Sequence, residues 1–297
     1  MIKKTAMVTI CGRPNVGKST LTNALLGEKI AIVSSKPQTT RNRITAIVNR
    51  GETQLVIMDT PGFHKPRNKL GDYMVNVVRE SIPDVDLVLL VVEPIANIGP
   101  QEESLLAGIR AAGIPAILVI NKIDTVEKEA LLEVMSTYGA AYDFKAIIPI
   151  SAMRKNGTEE LMREMEKYAQ PGPALFPEDM DTDQPDKQVC AELVREKLLR
   201  CLDKEIPHGT AVEVSRFTER DDGIIDLDVT IYCEKASHKG IIIGKQGAML
   251  KKIGESARRD IERFMGTKVF LQTWVKVKEN WRDSDILIKN FGYGVEK

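Results

Sequence analysis

Gly12-Arg13-Pro14-Asn15-Val16-Gly17-Lys18-Ser19 fills the pattern GxxxxGK[ST], a phosphate loop when a strand runs into it and a helix runs out of it. Both conditions are legible. Ala6–Cys11 is a short apolar, β-rich run, and Lys18–Leu26 carries a helical pattern. Glycine-flanked backbone N–H groups can curl around phosphate oxygens, and the following helix adds the positive end of its dipole. Lys18 is expected to reach the β- and γ-phosphates, and Ser19 to supply a hydroxyl to Mg2+. The loop alone leaves adenine and guanine nucleotides open.

Outward from the loop, apolar runs recur at Leu55–Met58, Leu87–Val92, Ala116–Ile120 and Ala146–Ile150, separated by helical patterns. Runs apolar throughout suit strands buried on both faces of a mainly parallel sheet with helices on either side. The first 170 residues therefore read as an α/β domain. Asn121-Lys122-Ile123-Asp124 follows directly on the Ala116–Ile120 run, where ligands gather at the carboxyl ends of strands in open α/β sheets. The Asp124 carboxylate is expected to accept two hydrogen bonds from N1–H and N2–H2 of guanine. Adenine has no such pair of donors and would leave the carboxylate unpaired, which penalises the wrong base. The Asn121 amide either meets guanine N7 or braces the phosphate loop, while the Lys122 stem covers the base. Ser151-Ala152, after the last run, is expected to offer a backbone N–H to guanine O6.

Asp59-Thr60-Pro61-Gly62 closes the Leu55–Met58 run. Asp59 is the expected carboxylate for Mg2+, and Gly62 can turn its N–H toward a γ-phosphate. Upstream, Gln38-Thr39-Thr40-Arg41 lies in a polar stretch suited to a loop that closes over the metal when the γ-phosphate is present. Chemistry alone does not separate Thr39 from Thr40. Thr40 is taken here, giving the metal set Ser19, Thr40 and Asp59 and the catalytic set Lys18, Thr40 and Gly62. Arg13, Arg41 and Arg43 are equivalent as donors of positive charge to the phosphates.

Composition narrows the class. Of 297 residues, 43% are hydrophobic and 28% charged, a globular balance with chain enough for two domains. The four cysteines (Cys11, Cys190, Cys201, Cys233) show no CxxC pairing and read as small buried hydrophobes in a reducing compartment. The N-terminal apolar run is too short for a secretory leader and no run is long enough to span a bilayer, so a cytoplasmic protein is expected. His64, His208 and His238 lack metal-ligand spacing. Lys+Arg and Asp+Glu number 42 each, yet the charges are unevenly spread. Residues 171–234 hold 7 basic and 16 acidic side chains, whereas 235–297 hold 14 and 7. A basic terminal segment points to an anionic partner.

Residues 171–187, with Pro171, Pro173, Pro177, Pro185 and five acids, read as a linker. Beyond it the order is helix, two strands (Ala211–Phe217 and Ile224–Cys233), a glycine-punctuated helical region (Ile241–Phe264) and a last alternating strand, Lys268–Lys278. Within the helical region, Gly244-Lys245-Gln246-Gly247 makes a Gly-x-x-Gly turn, where a nucleic-acid backbone can approach without a Cβ in the way and Lys245 can meet phosphate. Lys251 and Lys252 extend that basic character.

The GRPNVGKS loop, QTTR, DTPG, NKID and Ser-Ala elements, in this order across 1–155, resemble the Era family of translation-factor-related GTPases. The α-β-β-α-α-β order with IIIGKQGxxL resembles a KH domain over 188–280, an α+β module, leaving a tail at 281–297. The resemblance implies a GTP-binding and GTP-hydrolysing domain at 1–170, so that Gly12–Ser19, Asp59–Phe63, Asn121–Asp124 and Ser151-Ala152 contact GTP or GDP. It also implies a KH domain that grips the 3′ end of small-subunit ribosomal RNA in small-subunit assembly, in a monomer loosely attached to the inner membrane face. Phe63 departs from the glutamine that many GTPases place after DTPG to orient the attacking water, so slow unaided hydrolysis is expected. Asn15 is similar to the asparagine that holds K+ beside the phosphates in some relatives. A second reading makes the chain an RNA-binding assembly scaffold whose turnover is incidental. Trp281, Arg282 and Phe291 are expected to pack on the KH sheet rather than stack on RNA.

Overall fold

The computed structural model describes residues 1–293; the last four residues of the 281–297 tail lie outside the described residues. The chain forms two compact units. The first takes in Met1–Ala31, Thr40–Pro66 and Gly71–Asp183, and the second Ile32–Thr39, Arg67–Leu70 and the chain from Gln184 onward.

Hydrophobic continuity decides the first unit. Its strands are β1 (Lys4–Cys11), β2 (Ile44–Arg50), β3 (Thr53–Asp59), β4 (Leu87–Val92), β5 (Ala116–Ile120) and β6 (Ala146–Pro149), in the order β2-β3-β1-β4-β5-β6. All of β4 and β5 is buried. These strands pair in parallel, with β2 antiparallel to β3. Helices α1 (Lys18–Leu26), α2 (Lys69–Glu80), α3 (Pro100–Ala112), α4 (Lys128–Ala141) and α5 (Thr158–Glu166) alternate with them. One core cluster joins α1 and α5 to the sheet and another joins α2, α3 and α4, so helices cover both faces. The phosphate loop, Asp59–Gly62, Asn121–Asp124 and Ser151-Ala152 each follow the carboxyl end of a strand, whereas the Gln38–Arg41 stretch leads into β2.

Two features differ from the sequence reading. Strand β2 was not anticipated, because its apolar ITAIV run directly follows the polar switch stretch; five consecutive residues, Ile44 to Val48, are buried. Residues 171–187 do not behave as a free linker. Gln170–Pro171 forms β7, a two-residue antiparallel strand on β1. The fully buried Gln54 then accepts from the Leu175 and Phe176 N–H groups (2.8 and 3.0 Å) and donates to the Phe176 carbonyl (3.0 Å). Leaving such a buried amide unpaired costs about 1–3 kcal/mol per group, which ties the acidic stretch to the sheet. The Ile47 N–H donates to Asp181 O at 2.9 Å, continuing the run.

The second unit contains α6 (Asp186–Cys201), β8 (Ala211–Glu219), β9 (Ile225–Cys233), α7 (Ala236–Ile243), α8 (Ala248–Met265), β10 (Val269–Val277) and a short α9 (Asp285–Asn290). The expected α-β-β-α-α-β order is present, with sheet order β10-β9-β8. Strand β8 runs antiparallel and β10 parallel to β9. Alternate residues of β9 (Leu227, Val229, Ile231, Cys233) face a core shared with Val194 and Leu198 of α6 and Ile253, Ala257 and Ile261 of α8. Helix α6 also buries three successive charged residues. Arg195 donates to the Thr39 carbonyl and Glu196 accepts the Val33 N–H (3.0 Å), while Lys197 pairs with Glu196 and Asp260. The segment Ile32–Thr39 is thereby held by backbone contacts. Trp281 is fully buried, its indole N–H donating to Gly209 O at 2.9 Å. Phe291 lies 4.7 Å from the Tyr232 ring, and Arg282 pairs with Glu234. These three tail residues pack, as expected.

Candidate functional site

In the phosphate loop, Gly17 caps α1 with φ +98°, and a Cβ there would fall 2.2 Å from Asn121 Nδ2. Only glycine permits both the left-handed turn and that close approach. Asn121, itself buried, donates to the Val16 carbonyl (2.8 Å), and its Oδ1 accepts the Ala152 N–H (3.0 Å). One amide thus joins the phosphate loop to the Ser151-Ala152 turn. This is the bracing alternative for Asn121. It also corrects the expectation for Ser151-Ala152: the Ala152 N–H is spent on Asn121, and that of Ser151 on Asn156 O (2.9 Å).

Lys122, in the left-handed region at φ +64°, pairs with Glu93 at the end of β4. Ile123 opens a short 3-10 turn to Thr125. Asp124 stands 3.4 Å from Arg154. A hydrogen bond from Ser151, then the Arg154 charge, holds its carboxyl below the usual range. An ionised carboxylate at this position is what a two-donor purine edge requires.

The three oxygen donors assigned to the metal come together. Ser19 Oγ donates to Asp59 Oδ2 at 2.6 Å and lies 2.7 Å from Thr40 Oγ1. Thr39 instead bonds to Lys36 O at 2.6 Å, so geometry favours Thr40. Asp59 is fully buried, and its Oδ1 has no hydrogen-bond partner. An orphaned buried carboxylate oxygen beside two hydroxyls fits a hard divalent cation such as Mg2+. Burial pushes the Asp59 pKa up to about 6, opposed by the Lys18 charge and the Ser19 hydrogen bond. Burial likewise pulls Lys18 down to about 8, against the attraction of Asp59. Lys18 Nζ donates to the carbonyls of Gly12 (3.2 Å) and Arg13 (2.9 Å), so the ammonium sits inside the loop.

Around this centre, Thr60 is buried and donates to Ile10 O at 2.7 Å, and Pro61 is buried beside it. Gly62 O lies 2.8 Å from His64 Nδ1. Phe63 approaches the site only through its backbone, its N–H donating to Gly12 O (3.0 Å); the ring lies in the core with Val78 and Ile82. The side chain of Phe63 therefore does not join the nucleotide contacts expected of it: an aromatic ring gains more from the core than from a charged site. Pro14 and Asn15 form the crest of the loop, with Asn15 exposed at φ +66°. Among the arginines, Arg13 pairs with the buried Glu102, Arg41 is buried and Arg43 exposed. Sequence reasoning missed Glu93 and Glu102. The only available signal was position, directly after the Leu87–Val92 run and in the first turn of α3.

The Gly-x-x-Gly turn of the second unit is open. Gly244 has φ +72°, and a Cβ there would meet Met249 Cβ at 2.7 Å. Gln246 takes φ +53° and Gly247 +80°. Lys245, Gln246, Lys251 and Lys252 are exposed, with Lys251 4.0 Å from Glu255.

Comparison with known proteins agrees with both parts. Residues 7–122 match the family model for a 50S ribosome-binding GTPase, and 205–282 that for a KH domain. The chain is similar to the GTPase Era of Ruminiclostridium cellulolyticum, at 52% identity over 297 residues covering all of both chains. With that of Clostridioides difficile it shares 51% identity over 292 residues, 98% of each chain. Its structure is similar to that of Era in complex with MgGDPNP and nucleotides 1506–1542 of 16S ribosomal RNA. The TM-score is 0.95 at 36% identity, covering 99% of this chain and 100% of that one. A variant of Aquifex aeolicus Era bound to GDP·AlF4− superposes with the same TM-score and identity, over 98% of this chain and all of that one.

Proposed function

The chain belongs to the Era family of GTPases, and from that premise we propose that it binds the 3′ end of small-subunit ribosomal RNA through its KH domain, its nucleotide state governing that engagement during small-subunit assembly. The observation that carries this reading is the pairing of two sites on one chain: an acid-and-hydroxyl centre behind a phosphate loop, and an exposed basic Gly-x-x-Gly turn. A relative solved with both MgGDPNP and the ribosomal RNA fragment supports it.

In this reading the Gly12–Ser19 backbone cradles the phosphates and Lys18 leaves its loop carbonyls for the β- and γ-phosphates. Gly62 offers its N–H to the γ-phosphate. Asp124 accepts from the guanine edge, Lys122 covers the base under the hold of Glu93, and Asn121 keeps the two loops in register. Ser19, Thr40 and Asp59 would hold Mg2+, which neutralises phosphate charge. The Phe63 ring, turned into the core, cannot orient a water, so unaided hydrolysis is slow. Asn15, exposed beside the phosphates, is assigned to K+. Gly244, Lys245, Gln246, Gly247, Lys251 and Lys252 form the RNA contact. Residues 1–170 act as the GTPase part and 188–280 as the KH part. The protein is assigned to the cytoplasm as a monomer with peripheral contact at the inner membrane face. Four free thiols, three of them buried, are in keeping with a reducing compartment.

Single-turnover GTP hydrolysis, with and without a 3′-terminal ribosomal RNA oligonucleotide and in K+ against Na+, tests this. The expected result is stimulation by the oligonucleotide and faster turnover in K+. Equal rates in the two salts remove the potassium assignment. A rate indifferent to the RNA favours the scaffold reading.

A further inference from the structure

We propose that the outer face of β10 is a second RNA-binding surface, a row of aromatic and lysine side chains on which bases flanking the segment held at Gly244–Gly247 stack. The inference rests on the KH reading above and extends it to a face that the Gly-x-x-Gly turn does not reach.

Strand pleating sends alternate residues to opposite faces. Of the odd members of β10, Val269, Leu271, Val275 and Val277 belong to or pack against the core, with Thr273 the one polar residue among them. The even row is Lys268, Phe270, Gln272, Trp274, Lys276 and Lys278, and all six are exposed. The ladder extends to both flanking lysines, since Ile225 N–H donates to Lys268 O (3.0 Å) and Lys278 N–H to Cys233 O (2.8 Å). Phe270 is 50% and Trp274 44% exposed. Large aromatics left this open on a folded sheet are unusual, and here two stand in one row. Among the described residues, none of Lys268, Lys276 or Lys278 pairs with a carboxylate.

Two acids of β9 lie beside this row, Asp226 and the half-buried Asp228, which stands opposite Gln272. Asp226, opposite Phe270, is paired with Arg216 (3.3 Å) and Arg220. The Arg220 guanidinium lies 5.4 Å from the Phe270 ring centroid, building a planar cationic platform. Tyr232 donates to Glu213 at 2.7 Å and is covered by Phe291. Among the described residues, the tail thus closes the Tyr232 end of the face and leaves the Phe270–Trp274 end open.

Single-stranded nucleic acid is the occupant this chemistry fits. Rings spaced along a strand offer stacking that tolerates any base, and lysines flanking them track the backbone. Phe270 and Trp274 are roughly 13 Å apart along the strand, so each serves a different base. Continuity favours RNA over other polyanions: β10 is an edge strand, and α7 and α8, which carry the Gly-x-x-Gly turn, pack against it. A strand leaving the turn can pass round that unpaired edge onto the outer row.

The test uses the full chain and two single-stranded oligonucleotides from the 3′ end of small-subunit ribosomal RNA, one of roughly five and one of roughly twelve nucleotides. The wild type should bind the longer at least about tenfold more tightly. Combined Phe270→Ala and Trp274→Ala should remove that gain and leave the short oligonucleotide unaffected, whereas Trp274→Phe keeps the gain. Lys268→Glu with Lys278→Glu, which disturbs no packing, should lower the salt dependence for the longer RNA only. Trp274 fluorescence should be quenched by the longer RNA, with buried Trp281 as the internal control. A longer RNA that binds no better than the short one, or a gain that survives loss of both rings, overturns the proposal. So does binding to anionic phosphatidylserine vesicles that depends on the two rings while RNA affinity does not. A wild type that binds neither oligonucleotide overturns the KH reading itself, and the outer row with it.

Discussion

The nucleotide site and the Gly-x-x-Gly turn both await an anionic ligand, and they are built in opposite ways. In the first, the polar groups are buried or, at Ser19, half-buried, and already bonded to one another: Ser19 to Asp59 and Thr40, Asn121 to Val16 and Ala152, Lys18 to Gly12 and Arg13. In the second, Lys245 and Gln246 stand in solvent on a turn fixed by two glycines. A compact ligand with one geometry rewards preorganised, desolvated partners, because each misplaced group stays unpaired at full cost. A flexible strand rewards open access and screened charge. Substitutions in the first site should therefore act on selectivity and those in the second on salt-dependent affinity.

The largest effect is expected at Asp124. Asp124→Asn should weaken GTP by at least about a hundredfold and admit xanthine nucleotides, because the amide then matches a carbonyl where guanine presents an amino group. Competition binding with GTP and XTP checks it, and unchanged guanine affinity would break the contrast on its first side. Next, Lys245→Asp with Gln246→Asp should lower RNA affinity by about tenfold to a hundredfold and flatten its salt dependence, while GTP affinity holds. Filter binding across a salt series, run beside a nucleotide titration, reads both.

The smallest effect is on pH. Burial lifts Asp59 to about 6 and lowers Lys18 to about 8. With its folded pKa above the unfolded one, ionised Asp59 lowers stability at neutral pH, and this loss is relieved as pH falls through 6. Mg2+ binding has the opposite sign, since the proton competes with the metal. Affinity for Mg·GTP should thus fall up to about tenfold per unit below pH 6, and again above pH 8 as Lys18 loses its charge. Affinity at the Gly-x-x-Gly turn should stay flat from pH 6 to 8, which calorimetry at stepped pH can show.

Much of this was legible beforehand, for identifiable reasons. Runs such as Leu87–Val92 and Ala116–Ile120 are apolar throughout, and their strands begin and end at those residues. The phosphate loop and Asn121–Asp124 were legible because each element is local in sequence and stands at a strand end. What escaped depends on distant partners. The 171–187 stretch looks like a linker until one buried side chain, Gln54, bonds to Leu175 and Phe176 across more than a hundred residues. Glu93 and Glu102 are ordinary acids until Lys122 and Arg13 meet them. The exposed row on β10 was hidden for another reason: alternation in Lys268–Lys278 announces a strand, but not that its outer face stays uncovered.

Base selection at the nucleotide site carries the account, and calorimetric titration of the protein with Mg·GTP and Mg·ATP under identical conditions tests it most directly. Saturable heat with GTP, and at least about a hundredfold weaker binding of ATP, is the predicted result. Equal affinity for the two would contradict it.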